Sequence, residues 1–114
     1  MRLNLIVLAT LAFSSPALAL ECTPSSSWAC VDGSCKAGSS AITIYFSPSE
    51  KTVSRCDRQG CSTLQVEAEL SGAMLKAASA VNGYLLVVNV LDLTFTEVAT
   101  SVTSAFIKMG TCKE

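Results

Sequence analysis

The sequence predicts an all-β domain: an antiparallel meander of about seven or eight short strands, closed or partly closed into a small barrel and stapled by disulfides. Three observations carry this expectation. Leu64, Val66, Ala68 and Leu70 alternate with Thr63, Gln65, Glu67 and Glu69, the period of a half-buried strand with one polar face. Ile42, Ile44 and Phe46 alternate with Thr43 and Tyr45 in the same way. Two cysteine pairs repeat one spacing, Cys30-Val31-Asp32-Gly33-Ser34-Cys35 and Cys56-Asp57-Arg58-Gln59-Gly60-Cys61, each with turn residues between the cysteines.

Residues 1–19 have the pattern of a secretory signal peptide. Arg2 supplies the positive start, Leu3 to Phe13 the apolar run, and Ala17 and Ala19 the small residues facing a cleavage site. The apolar run is short for a membrane span and is followed at once by Ser14, Ser15 and Pro16. We therefore expect cleavage after Ala19, a single domain over residues 20–114, no membrane span in the mature chain, and residence in the periplasm or outside the cell. Glu21 in front of Cys22 speaks against lipid attachment at that cysteine. Losing Arg2 makes the mature chain one unit more negative than the −1 of the whole sequence, which gives no support for nucleic-acid binding.

The six cysteines suit an exported domain too small to rely on its core alone. Asp32-Gly33 is a preferred two-residue hairpin turn, which would bring Cys30 opposite Cys35. Cys56 and Cys61 flank a four-residue loop in which Asp57 can bond its own backbone and Gly60 tolerates positive φ. Cys22 and Cys112 remain, near the two ends of the mature chain. The expected pairs are therefore Cys30–Cys35, Cys56–Cys61 and Cys22–Cys112. Neither short pair has the two-residue spacing of a disulfide oxidoreductase or precedes a helical pattern.

In chain order, Glu21 to Ser27 reads as an extended polar lead-in, with Pro24 and three serines. Trp28, the only tryptophan, reads as a core plug beside the first hairpin. Gly38-Ser39-Ser40 is a loop, Ala41 to Ser47 a strand, and Ser47 to Glu50 a turn. Val53 to Cys56 leads into the second cysteine pair, and the following strand ends at Ser71-Gly72. Leu70, Met74, Ala77 and Val81 have helical spacing, but Asn82-Gly83 before Tyr84 to Leu91 signals a hairpin, so residues 73–80 are assigned as its incoming strand. Leu93 to Thr100 is rich in threonine and suits a strand. Ala105 to Met109 is the last strand, stopped by Gly110.

Three pieces carry a resemblance: Arg55-Cys56-Asp57 with Gly60-Cys61, Phe95-Thr96-Glu97-Val98-Ala99-Thr100, and Ala105-Phe106-Ile107-Lys108-Met109-Gly110-Thr111-Cys112. Together they resemble small secreted or periplasmic proteobacterial proteins of unknown function, over roughly the last two-thirds of the mature chain. The resemblance implies antiparallel strands and periplasmic residence, and brings no catalytic residues.

The chain has no histidine, which removes Ser-His-Asp and Cys-His nucleophile systems and the usual zinc sites. No lysine follows a serine by three positions. Glu67 and Glu69 share one solvated strand face, whereas glycoside hydrolysis needs carboxylates opposed across a cleft. The expectation is thus no catalytic residue, no metal and no cofactor. What remains is the polar loop, with Arg55 and Arg58 as the candidate partner-contact residues because arginine combines charge, planar hydrogen bonding and stacking. The functional expectation is a binding or interaction module whose partner is an envelope protein or a cell-wall enzyme, inhibitor-like by analogy with small periplasmic barrels. The alternative is a structural envelope protein without a ligand.

Overall fold

The computed structural model describes residues 19–79 and 83–114, and in them the chain is all-β. The strands are β1 (Leu20–Val31), β2 (Ser34–Gly38), β3 (Thr43–Ser47), β4 (Thr52–Asp57), β5 (Gly60–Gln65), β6 (Glu67–Ser71), β7 (Met74–Ser79), β8 (Tyr84–Asn89), β9 (Thr94–Thr100) and β10 (Ser104–Lys113). Neighbours run β5-β4-β3-β1-β10-β9-β8-β7-β6, with β2 paired to β1 off this path. The two ends of the order, β5 and β6, are joined by Val66 alone, so the sheet curls into a nearly closed antiparallel barrel. Ten strands exceed the expected number because β2 projects off the ring and because Val66 divides one long stave into β5 and β6.

The alternating segments supply the inner face. Leu20, Ile44, Phe46, Val53, Leu86 and Val88 are buried in one core, joined by Leu75, Tyr84 and Phe95. Of the expected strand over residues 73–80, Met74–Ser79 is strand: Leu75 and Ala77 face the core and Lys76 faces out. Here cross-strand pairing with β8 outweighs the helical spacing. The Asn82 part of the expected β7–β8 turn lies outside the described residues, as does the expected signal peptide up to residue 18.

All three expected disulfides form: Cys22–Cys112, Cys30–Cys35 and Cys56–Cys61. Each joins residues directly opposite one another across an antiparallel pair. Asp32 and Gly33 both take positive φ, 51° and 83°, so the first hairpin has the turn its sequence demands. The disulfides fit an oxidising compartment.

Three expectations are corrected at the chain ends. Glu21 to Ser27 is part of β1 rather than a lead-in, paired with the last strand, β10. Pro24 sits where β1 has a partner on one side only, between the segment paired to β3 and the segment paired to β2, so its missing N–H breaks no ladder. Trp28 is not a core plug; it faces outward beside Ile107 and is 41% exposed. The cause is a bulge. From Cys22, which faces in, strict alternation would turn Trp28 inward, but the register shifts between Pro24 and Ser26. The extra residue, Ser25, flips the faces beyond it, so Ser27 points in and Trp28 out.

Nor does Gly110 stop the last strand; β10 runs through it to Lys113. Gly110 lies opposite Pro24 at the bulge, and a Cβ there would fall inside contact distance of the Thr23 carbonyl oxygen and 2.8 Å from the Pro24 Cα. Both obstacles are backbone, so Gly110→Ala should cost about 1–3 kcal/mol. Urea denaturation of the two proteins measures it, and an unchanged midpoint would show that the bulge can move aside.

Candidate functional site

Strand direction sorts the turns between the two ends of the barrel. Because β1 runs from Leu20 to Val31 and its neighbours are antiparallel, the turns after Val31, Asp57 and Thr100 share one end. Two of these hairpins carry the short disulfides. The first and third touch, through the Asp32 N–H donating to the Thr103 carbonyl at 3.1 Å.

The second hairpin is tighter than the sequence implies. Asp57 pairs with Gly60, leaving Arg58 and Gln59 as a two-residue tip. Asp57 Oδ1 accepts the Gln59 N–H at 2.8 Å, the expected self-bracing turn, and Gly60 takes φ 138°. Arg58 and Gln59 are exposed and border a cleft of about 260 Å³ shared with Ala41, Ile42 and Asp57. A neighbouring cleft of about 280 Å³ is lined by Ile42, Arg55, Asp57 and the start of β5.

Arg55 and Arg58 do not form one exposed pair. Arg55 lies on the inner face of β4, opposite Ile44 and Ser62, and turns into the barrel. Its Nε donates to Glu97 Oε2 at 2.8 Å and its Nη2 to Glu97 Oε1 at 3.2 Å. Glu97 is the buried acid of the barrel, only 2% exposed, and its Oε2 also accepts the Tyr84 hydroxyl at 2.5 Å. The bridge spans the ring. Between β4 and β9 stand β3, β1 and β10 on one side, and the β5–β6 stave, β7 and β8 on the other. A bidentate guanidinium–carboxylate pair therefore ties two opposite walls together.

Lys108 is the next cation inward on β10, placed between Ser27 and Glu97 in the cross-strand row. Its Nζ donates to Ser27 Oγ at 3.3 Å and lies 5.8 Å from the centre of the Phe106 ring. Burial first, and the Arg55 guanidinium second, hold its ammonium below the ordinary value, against an opposing pull from Glu97. Burial likewise raises the Tyr84 phenol far above its ordinary value, reinforced by the Glu97 charge and hydrogen bond.

The Tyr84 shift has a testable sign. Its raised pKa means that the stability it contributes is complete below pH 10.0, where the unfolded chain keeps the same proton, and is lost progressively above it. Tyr84→Phe removes that dependence. Wild type should exceed the variant by about 1.5–3 kcal/mol at neutral pH, the worth of a hydrogen bond to a charged group. The gap should narrow by about 1 kcal/mol between pH 10 and 11, read by urea denaturation at each pH. A constant gap would place the phenol in contact with water.

Sequence reasoning found the clamped tip and missed the internal network. Glu97 sits among threonines in a strand, and only its alternation with Phe95, both facing in, marks it as buried. Among the described residues no group of three or more His, Cys, Asp or Glu is placed to hold a metal ion. No helix in them is long and apolar enough to cross a membrane. Comparison with protein-family models, with curated proteins and with solved structures found no match.

Proposed function

We propose that this protein is an exported interaction module, resident in the periplasm or outside the cell, that acts by contact with an envelope protein or a cell-wall enzyme. The observation that carries this reading is the Cys56–Cys61 hairpin tip. A disulfide at its base and the Asp57 brace hold Arg58 and Gln59 exposed beside a cleft. A pre-formed loop loses little freedom on binding, and arginine is favoured at interfaces. The single hydrophobic core inside the barrel supports contact chemistry over full enclosure of a ligand. Export rests on the signal-like residues 1–19 and agrees with the three disulfides.

A second reading, a structural protein that packs by its wall, is favoured by one feature. Trp28, Ile107, Val98 and Leu85 stand directly across from one another on four neighbouring strands, on the outer face. Trp28 and Leu85 are 41% and 38% exposed.

Capture from envelope extract with the mature protein tests both. Arg58→Ala should leave folding unchanged within about 0.5 kcal/mol and weaken the captured partner's binding by about 2 kcal/mol or more. If Arg58→Ala binds that partner as tightly as wild type while Trp28→Ala loses it, the wall is the contact surface and the tip is only a staple.

A further inference from the structure

We propose that the hairpin end of the barrel is a carboxylate-binding mouth, with Lys108 as the anchoring cation and Phe106 as its apolar side. Lys108 and Phe106 lie on the inner face of β10, one strand position apart from each other on that face, and Phe106 is 43% exposed. Arg55 reaches Glu97 from the opposite wall, and Glu97 itself stands beside Lys108 across the β9–β10 pair. On that face Phe106 lies nearer than Lys108 to the exposed turn after Thr100.

The ammonium is under-used. It can donate three hydrogen bonds. Its one acceptor among the described residues is Ser27 Oγ, and no carboxylate there lies within 4.0 Å of it. Glu97 faces it across the β9–β10 pair but is already engaged: Arg55 Nη2 holds Oε1, and Arg55 Nε and the Tyr84 hydroxyl share Oε2. The interior acid therefore neutralises the guanidinium and leaves the ammonium with spare charge. Its lowered pKa agrees with partial desolvation beside a second cation. Asp57, at the opposite rim, has Oδ1 committed to the Gln59 N–H.

These groups specify a ligand chemistry. A carboxylate would complete the donors of Lys108 through charge-assisted hydrogen bonds, and an apolar or aromatic body attached to it would cover Phe106. The same chemistry belongs to a free aromatic acid and to a polypeptide ending in an aromatic residue. The site stands apart from the Arg58 tip, and its test does not depend on partner capture.

The test is a titration of the uniformly ¹⁵N-labelled mature protein, followed by amide shifts. The probes are phenylacetate, acetyl-glycyl-phenylalanine with a free C-terminus, and neutral phenylacetamide. The expected result is saturable shifts confined to Ser27, Phe106, Lys108 and their strand neighbours, with one acid at least about tenfold tighter than the amide. Tighter phenylacetate assigns the free acid as the source; a tighter peptide assigns a chain terminus. Lys108→Met should weaken binding at least about tenfold, and Lys108→Arg should retain it, while Lys76→Met on the outer wall and Arg58→Ala leave it unchanged. Shifts that do not saturate with either acid, or an acid that binds no tighter than the amide, overturn the site. So does equal binding by Lys108→Met. The amide comparison decides the matter even where a Lys108 variant folds poorly. Unchanged probe binding alongside loss of partner capture in Arg58→Ala would separate the two sites outright.

Discussion

Arg55→Met should destabilise the protein by about 3–5 kcal/mol, because it strands the Glu97 carboxylate inside the barrel without its guanidinium. Glu97 is 2% exposed and cannot turn to water, whereas the Arg55 side chain is 31% exposed. The reverse substitution, Glu97→Leu, should therefore cost less, since the freed guanidinium can reach solvent. Replacing the whole network, with Arg55→Met, Glu97→Leu and Tyr84→Phe together, should recover much of the loss, as buried ion pairs exchanged for apolar packing often come out near neutral. Chemical denaturation of the singles and the triple measures all of this. An Arg55→Met cost below about 1 kcal/mol would mean that water reaches the carboxylate once the guanidinium is gone. The result bears directly on how Arg55 is classed. The sequence invites an exposed contact role for it beside Arg58, and an exposed arginine would show almost no stability effect.

The second large effect belongs to Cys22–Cys112. The pair closes a separation of 90 residues, so in the chain-entropy picture its removal costs about 4.6 kcal/mol, against about 2 kcal/mol for either short pair. Cys22 is fully buried and Cys112 nearly so, and the double Ala variant also leaves a gap in the core, which adds to the loss. By contrast Cys61 and Cys35 are exposed, so the hairpin pairs can be removed with little repacking. Thermal unfolding of the three double-alanine variants should rank Cys22–Cys112 far ahead of the others. Equal effects would show that the unfolded chain is already held compact without the long link.

What could be read from the residues alone was local. The alternation in Ile42 to Phe46 and in Leu64 to Leu70 marks inner and outer faces without any knowledge of partners. Asp32-Gly33 carries its own turn geometry, and the repeated cysteine spacing follows from it. What could not be read was set by distance along the chain. The Arg55–Glu97 bridge spans 42 residues and exists because β4 and β9 fall on opposite walls, which depends on the stave count of the closed ring. Trp28 shows the same limit at smaller scale. Its face is decided by one extra residue at Ser25, and that bulge is in turn shaped by Gly110 on a strand at the far end of the sequence. A strand rich in serine with an internal proline, Glu21 to Ser27, has no intrinsic claim to be a strand until β10 is there to pair with it.

The pairing of β1 with β10 also dictates an order of events in time. Most ladders join strands that follow one another in sequence, and these can assemble as hairpins while the chain is still being made. The first strand must wait for the last. Until residues 104–113 are present, Leu20 to Val31 has no partner along its middle, Cys22 has no native thiol to meet, and the row of inward side chains on β9 faces water. Oxidation should therefore proceed from the two five-residue separations to the long one, with Cys22 free to form wrong bonds with Cys30 or Cys35 in the interval. A chain cut before Ser104 would hold both clamped hairpins and still be unable to become a barrel.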